Sequence, residues 1–169
     1  LYCITHMAMA IVIKKYKKSN KKRKSLSKSK VRRHNKTLRD NGISNNQKSR
    51  IIKTFLEIMN GIKIYHWKTK SYSQHKATDE LHEKLSGQSD RFVEVLMGKT
   101  FKRINMVEDK MKLYDFDTKY EFQHKIFEFR QFLIDLYMVF PSKKDSDLMT
   151  IRDDMLESVN QFLYLLTLK

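Results

Sequence analysis

Tyr65 to Met97 reads YHWKTKSYSQHKATDELHEKLSGQSDRFVEVLM, with apolar residues and potential metal ligands recurring at helical spacing. With His75 at zero and ~100° per residue, Leu81, Leu85, Phe92 and Leu96 fall between roughly 240° and 300° of a helical wheel. Asp79, Asp90 and Glu94 fall between roughly 40° and 100° on the same wheel, and His82 near −20°. One face is aliphatic and another carries His, Asp and Glu, the side chains that bind iron, zinc or manganese through nitrogen and oxygen. Lys76 and Lys84 lie at the border of that polar arc and off it. A helix is therefore expected over about 74–97, with Gly98 as its C′ glycine.

Working outward, Lys68 to Ser73 is a polar break, and the helix before it spans about 48–68. Ile52, Phe55, Met59, Ile62 and His66 step by three and four along it, which places His66 at the end of an amphipathic stripe. Trp67, the single tryptophan, is expected to fill the helix junction. Downstream, residues 99–116 read as a packed connection. Thr118 and Glu121 form a capping box that opens a third helix over about 118–140. Tyr120, Phe127, Leu133, Ile134 and Tyr137 are its expected core, and Pro141 its end. Asp145 or Ser146 caps a fourth helix over 146–167, with Leu148, Ile151, Met155, Val159, Phe162 and Leu166 facing inward. The expected fold is all-α: a four-helix bundle over residues 48–169, whose long link between helices two and three permits the crossover of ferritin-like topology.

Composition agrees, since Gly (4) and Pro (1) are both scarce and favour helices with short connections over a turn-rich sheet protein. The only cysteine, Cys3, excludes an intrachain disulfide and a multi-thiolate zinc site. The formal net charge of +16 is not spread evenly. Residues 14–50 carry 16 Lys or Arg against one acid, Asp40, whereas residues 51–169 carry 19 against 18. Residues 1–47 thus read as a basic tail, disordered for want of apolar residues to bury, closed by the turn and cap residues of Asp40–Gly42 and Ser44–Asn46. Lys14, Lys15, Lys17, Lys18, Lys21, Lys22, Arg23, Lys24, Lys28, Lys30, Arg32 and Arg33 are its candidate nucleic-acid contacts. Lysine and arginine at this density bind a phosphate backbone by counterion release, without reading sequence. A localisation signal is the competing account of the same run. Residue 1 is Leu, so Met7 or Met9 is an alternative start. The apolar run Met7 to Ile13 is too short to span a bilayer, and the charge follows it, the reverse of a secretory signal. The expectation is a cytoplasmic, nucleoid-associated or nuclear protein that is neither secreted nor membrane-spanning.

His66, His75 and Asp79 can converge, because a short turn brings the end of one helix beside the start of the next. Asp90 and Glu94 form a second i, i+4 pair. His75 and Asp90 are 15 residues apart, about 22 Å along a helix, so one chain cannot bring them to the same ion. Antiparallel packing of this helix on its own copy would place residue 75 opposite residues 90–94, with a two-fold axis near residue 84 or 85. The small residues Ser86 and Gly87 beside the axis would allow close approach, and two equivalent sites would form at an isologous interface. Glu121-x-x-His124 matches the Glu-x-x-His of di-iron bundles but occurs in a single copy, and is read as helix surface.

His66-Trp67, His75, Asp79 and Asp90-x-x-x-Glu94 together resemble the ferroxidase motif of Dps proteins, the mini-ferritins that protect DNA. The wording from His66 to Leu85 is also similar to Dps-like proteins of large DNA viruses and phages. The gap from His66 to His75 is shorter than in bacterial members. The resemblance implies that His66, His75 and Asp79 of one subunit and Asp90 and Glu94 of its dimer mate hold iron. It further implies Fe(II) oxidation by peroxide or oxygen and a hollow twelve-subunit shell, with the basic tail on DNA. A non-enzymatic DNA-binding bundle that has lost iron chemistry is the rival expectation. A helical interaction module with an address tail is a third.

Overall fold

The computed structural model describes residues 43–140 and 143–168, which form a four-helix bundle with no strand among them. The helices are α1 (Asn45–Lys68), α2 (Tyr72–Thr100), α3 (Lys119–Val139) and α4 (Ser146–Leu165). Residues 1–42 of the expected tail and Pro141 lie outside the described residues, whereas Asn45–Gln47, expected in the tail, form the first turn of α1 because Ser44 caps it. No described helix is long and apolar enough to cross a membrane.

Each start has a local chemical cause. Ser44 and Gln47 form a capping box on α1, and Thr118 and Glu121 form the expected one on α3. Ser71 accepts from Gln74 N at the head of α2. These contacts satisfy backbone donors that the first turn leaves without partners. Asp145 precedes α4 without capping it through its side chain. Its carboxylate lies 3.2 Å from Lys99 Nζ, which also binds Asp147 at 2.7 Å. Burial alone would lower the Lys99 pKa, and the two carboxylates more than offset it, so the net shift is upward.

Three contacts set the topology. Lys99 joins the end of α2 to the start of α4. Lys68 Nζ reaches Asp117 at 3.1 Å, joining the end of α1 to the start of α3. Lys119 Nζ donates to Leu166 O at 2.6 Å, joining the start of α3 to the end of α4. Helices α1 and α4 therefore run one way and α2 and α3 the other, and residues 101–118 must travel the length of the bundle.

They do so along one ridge of α1 whose residues step by four. Asn45 and Asn105 exchange two hydrogen bonds, Ser49 Oγ accepts from Val107 N, Lys53 pairs with Glu108, and Glu57 accepts from Lys112 N. At Gly61 an added Cβ would sit 3.3 Å from the Phe116 ring, so the aromatic end of the crossover rests directly on the α1 backbone.

The core expectations hold for α2 and α4: Leu81, Leu85, Phe92 and Leu96, and Leu148, Ile151, Met155, Val159, Phe162 and Leu166, are all buried. On α1 the buried seam is Ile51, Phe55, Ile58, Ile62 and Tyr65, whereas Ile52 and Met59 are only half-buried on the adjoining face. On α3 only Leu133 of the five expected core residues is buried. The core takes Phe122, Ile126, Phe129, Leu133 and Leu136, while Tyr120, Phe127 and Tyr137 are exposed at 75, 49 and 54 %. α3 is apolar on both sides, so its spacing fits two opposite faces equally well. Trp67 is 70 % exposed and does not fill the junction.

Gly98 lies inside α2 rather than beyond it, and the left-handed residue at the helix end is Phe101, with φ 50°. A bulky side chain at positive φ is strained by roughly 1 kcal/mol, and Phe101 is 60 % exposed, so packing returns little. Phe101→Gly is expected to stabilise the bundle by about 1 kcal/mol, read as a higher urea midpoint at unchanged m-value.

Candidate metal centre

Only Thr69, Lys70 and Ser71 separate α1 from α2, and the junction is held by buried polar bonds. Tyr65 Oη donates to Gln74 Oε1 at 2.6 Å, and the Tyr65 ring stacks on Phe122 at 3.9 Å. This tight turn brings His66, in the last turn of α1, level with His75, in the first turn of α2. Their rings stack with centroids 3.8 Å apart and planes 24° apart.

The backbone then orients both rings. His66 Nδ1 is 3.0 Å from the carbonyl of His75, and His75 Nδ1 is 3.1 Å from the carbonyl of His66. A carbonyl can only accept, so each Nδ1 is the donor, which leaves Nε2 as the ring nitrogen on which a metal could bind. Metal-binding histidines are commonly held this way, with the second nitrogen donating to a carbonyl. Thr78 Oγ1, 3.2 Å from His66 Nδ1, braces the buried member of the pair. His66 is buried and His75 exposed, so the pair opens toward solvent through His75.

Asp79 joins this cluster, with Oδ1 3.9 Å from His66 Nε2. The same oxygen accepts from Lys63 Nζ at 3.2 Å, and this hydrogen bond holds the Asp79 carboxyl below its usual pKa. Lys63 thus supplies the cation that Asp79 faces, a partner the sequence reading missed. Lys63 lies three residues before His66 on α1, but its contact with Asp79 depends on how α1 packs against α2. His82 is half-buried beside this group, and burial, followed by the charge of Lys63, lowers its pKa. Lys63→Met is expected to bring the Asp79 pKa back up toward its ordinary value, read by NMR titration of the carboxyl.

Asp90 and Glu94 are exposed farther along α2 and do not join this cluster. Among the described residues, no three His, Cys, Asp or Glu side chains are grouped to hold a metal. Asp90 instead borders an apolar groove of about 430 Å³ between α1 and α2, lined by Ile52, Leu56, Met59, Ser86, Gly87 and Val93 among others. A Cβ added at Gly87 would meet nothing within 4 Å, so packing within the chain does not require a glycine there. Glu121 and His124 form no di-iron motif: Glu121 Oε2 accepts from the Asp117 and Thr118 amides, and His124 lies 3.5 Å from Glu128.

The model of a family of unknown function, DUF5856, matches residues 66–166, more than half of the chain. The matched segment begins at His66 and contains all five candidate ligands; the basic tail lies outside it. No curated protein and no solved structure matches the chain.

Proposed function

The chain belongs to a family of unknown function, DUF5856, and we propose that it is a Dps-like, iron-binding and Fe(II)-oxidising protein. The observation that carries this reading is the His66–His75 pair, each ring anchored through Nδ1 on the other's carbonyl and each keeping Nε2 free. Two neutral imidazoles with one adjacent carboxylate are half of an N/O site suited to Fe(II), zinc or manganese. The other half is Asp90 and Glu94 of a second copy, docked antiparallel along the α1–α2 groove. Gly87 and Ser86 allow that approach, and a bundle with one full-length crossover is the connectivity of ferritin-like folds.

Fe(II) is the substrate in this reading. Each hydrogen peroxide takes two electrons, one from each of two Fe(II) ions, and two protons from solvent, and leaves two Fe(III) and two water molecules; dioxygen is the alternative oxidant. The basic tail holds DNA through its phosphates, and dimers assemble further, toward the twelve-subunit shell that the Dps resemblance implies.

Lys63 on Asp79 favours the second reading, a DNA-binding structural bundle that has lost iron chemistry. Anaerobic Fe(II) titration of the full chain, with the mass of the assembly measured alongside, separates the two. Saturable binding of at least two Fe(II) per dimer, followed by oxidation on adding peroxide, supports the first. Absence of any divalent-metal binding leaves the second. Loss of DNA retardation on deleting residues 14–39, with iron uptake intact, would assign the DNA contact to the tail.

A further inference from the structure

The outer face of α3 has no partner within the bundle, and its chemistry is that of a helix seam. Tyr120, His124, Phe127, Gln131, Ile134 and Met138 step alternately by four and three. They fall within roughly 40° either side of one line on the wheel, diametrically opposite the buried seam. Met138 is 86 % exposed, and Tyr120 and Phe127 share that side with it. With Tyr137 on the border, these side chains expose roughly 500 Å² at 150–250 Å² per aromatic ring. A stable interface takes about 800 Å² from each partner, and about 65 % of a homodimer interface is apolar, so the stripe supplies the apolar core of one.

We propose that this face of α3 pairs with α3 of a second copy as a parallel two-stranded coil. Charge selects the partner and the direction. No Lys or Arg lies in the stripe, and Glu121, Glu128 and Asp135 line one flank, which disfavours nucleic acid and anionic membranes. On the other flank stand Gln123, Tyr137 and Arg130, whose Nε donates to Asn160 of α4 at 2.7 Å and leaves the terminal guanidinium nitrogens for a second partner. Antiparallel pairing would set the acidic flanks against each other. Parallel pairing sets each flank against the opposite one, so Arg130 meets Asp135 of the second copy, twice per dimer, at the usual five-residue offset of interhelical salt bridges. His124 and Gln131 alternate with Tyr120, Phe127 and Ile134 in the seam, and such polar layers fix register. The two-fold here runs along α3, whereas the one proposed for the α1–α2 groove crosses its helices. The two faces are independent, and together they assemble the chain beyond a dimer.

Sedimentation of the full chain across a concentration series tests this, using Phe127→Glu with Met138→Glu, Gly87→Arg, and all three together. The mutated side chains are exposed, and circular dichroism checks that each variant keeps its helices. Wild type is expected at four or more chains, each single-face disruption at two, and the triple variant at one. Arg130→Glu should raise the concentration for dissociation of the α3 pair at least tenfold, and adding Asp135→Arg should restore it. If Phe127→Glu with Met138→Glu leaves the mass unchanged, the proposal is wrong. If Arg130→Glu does not weaken the pair, the parallel arrangement is wrong. An unchanged mass for Gly87→Arg, with the α3 variants active, would instead remove the groove dimer.

Discussion

On the proposed iron-binding reading, replacing His75 with alanine is expected to lower Fe(II) affinity by more than about 100-fold, because loss of even a group that only orients a ligand costs 10–100-fold. His75 is exposed, so the bundle should lose no more than about 1 kcal/mol of stability. That combination separates a ligand from a packing residue. The shared-site reading makes a sharper demand. In a mixed dimer of His75→Ala and Asp90→Ala subunits, both lesions fall in one site, and the other site is fully wild type. Mixing two inactive proteins should therefore restore Fe(II) oxidation toward half of the wild-type value per dimer. If His75→Ala binds Fe(II) normally, the stacked pair is structural. If both single variants are inactive and the mixture stays inactive despite subunit exchange, His75 and Asp90 do not complete one site across two copies.

The largest stability effect is expected at Phe122. This ring is fully buried, stacks on Tyr65 with centroids 3.9 Å apart, and meets Phe116 and Phe162 edge-on at 5.4 and 5.9 Å. It thus joins α1, the crossover, α3 and α4 at the end of the bundle that holds His66. Phe122→Ala should cost about 4 kcal/mol, a fall of roughly 15 °C in Tm. Phe127→Ala, five residues along the same helix, should cost under about 1 kcal/mol when measured at concentrations too low for assembly. Equal costs at the two positions would mean that the assignment of the α3 faces is reversed.

The two phenylalanines show where the sequence was legible and where it was not. Along α2 and α4 the apolar residues occupy one face and polar residues the rest, so the periodicity has a single solution and the core could be read directly. Along α3 the sequence presents Phe122, Ile126, Phe129 and Leu133 on one side and Tyr120, Phe127, Ile134 and Met138 on the other. Periodicity reports that a face exists, not which of two faces turns inward. On α1 the seams through Ile51 and Ile52 are adjacent and nearly equal, and the choice between them moved the expected stripe by one position. The candidate centre divides similarly. His66, His75 and Asp79 could be placed together because a polar break between two helices forces their ends level. Lys63 escaped notice because its role depends on where its ammonium reaches across to α2.

The four helices, the Thr118–Glu121 capping box and the meeting of the two histidines are all readable from the chain alone, whereas the long link after α2 only permits a crossover. The first three follow from local rules of helix spacing, capping and short-turn geometry that act within a few residues. Only the tertiary structure decided which face of α1 and α3 is core, that the two imidazoles lock each other's tautomers through their own carbonyls, and that Lys63 stands on Asp79. Those outcomes depend on contacts between segments far apart in the chain, where several arrangements satisfy the same local pattern and close packing selects one.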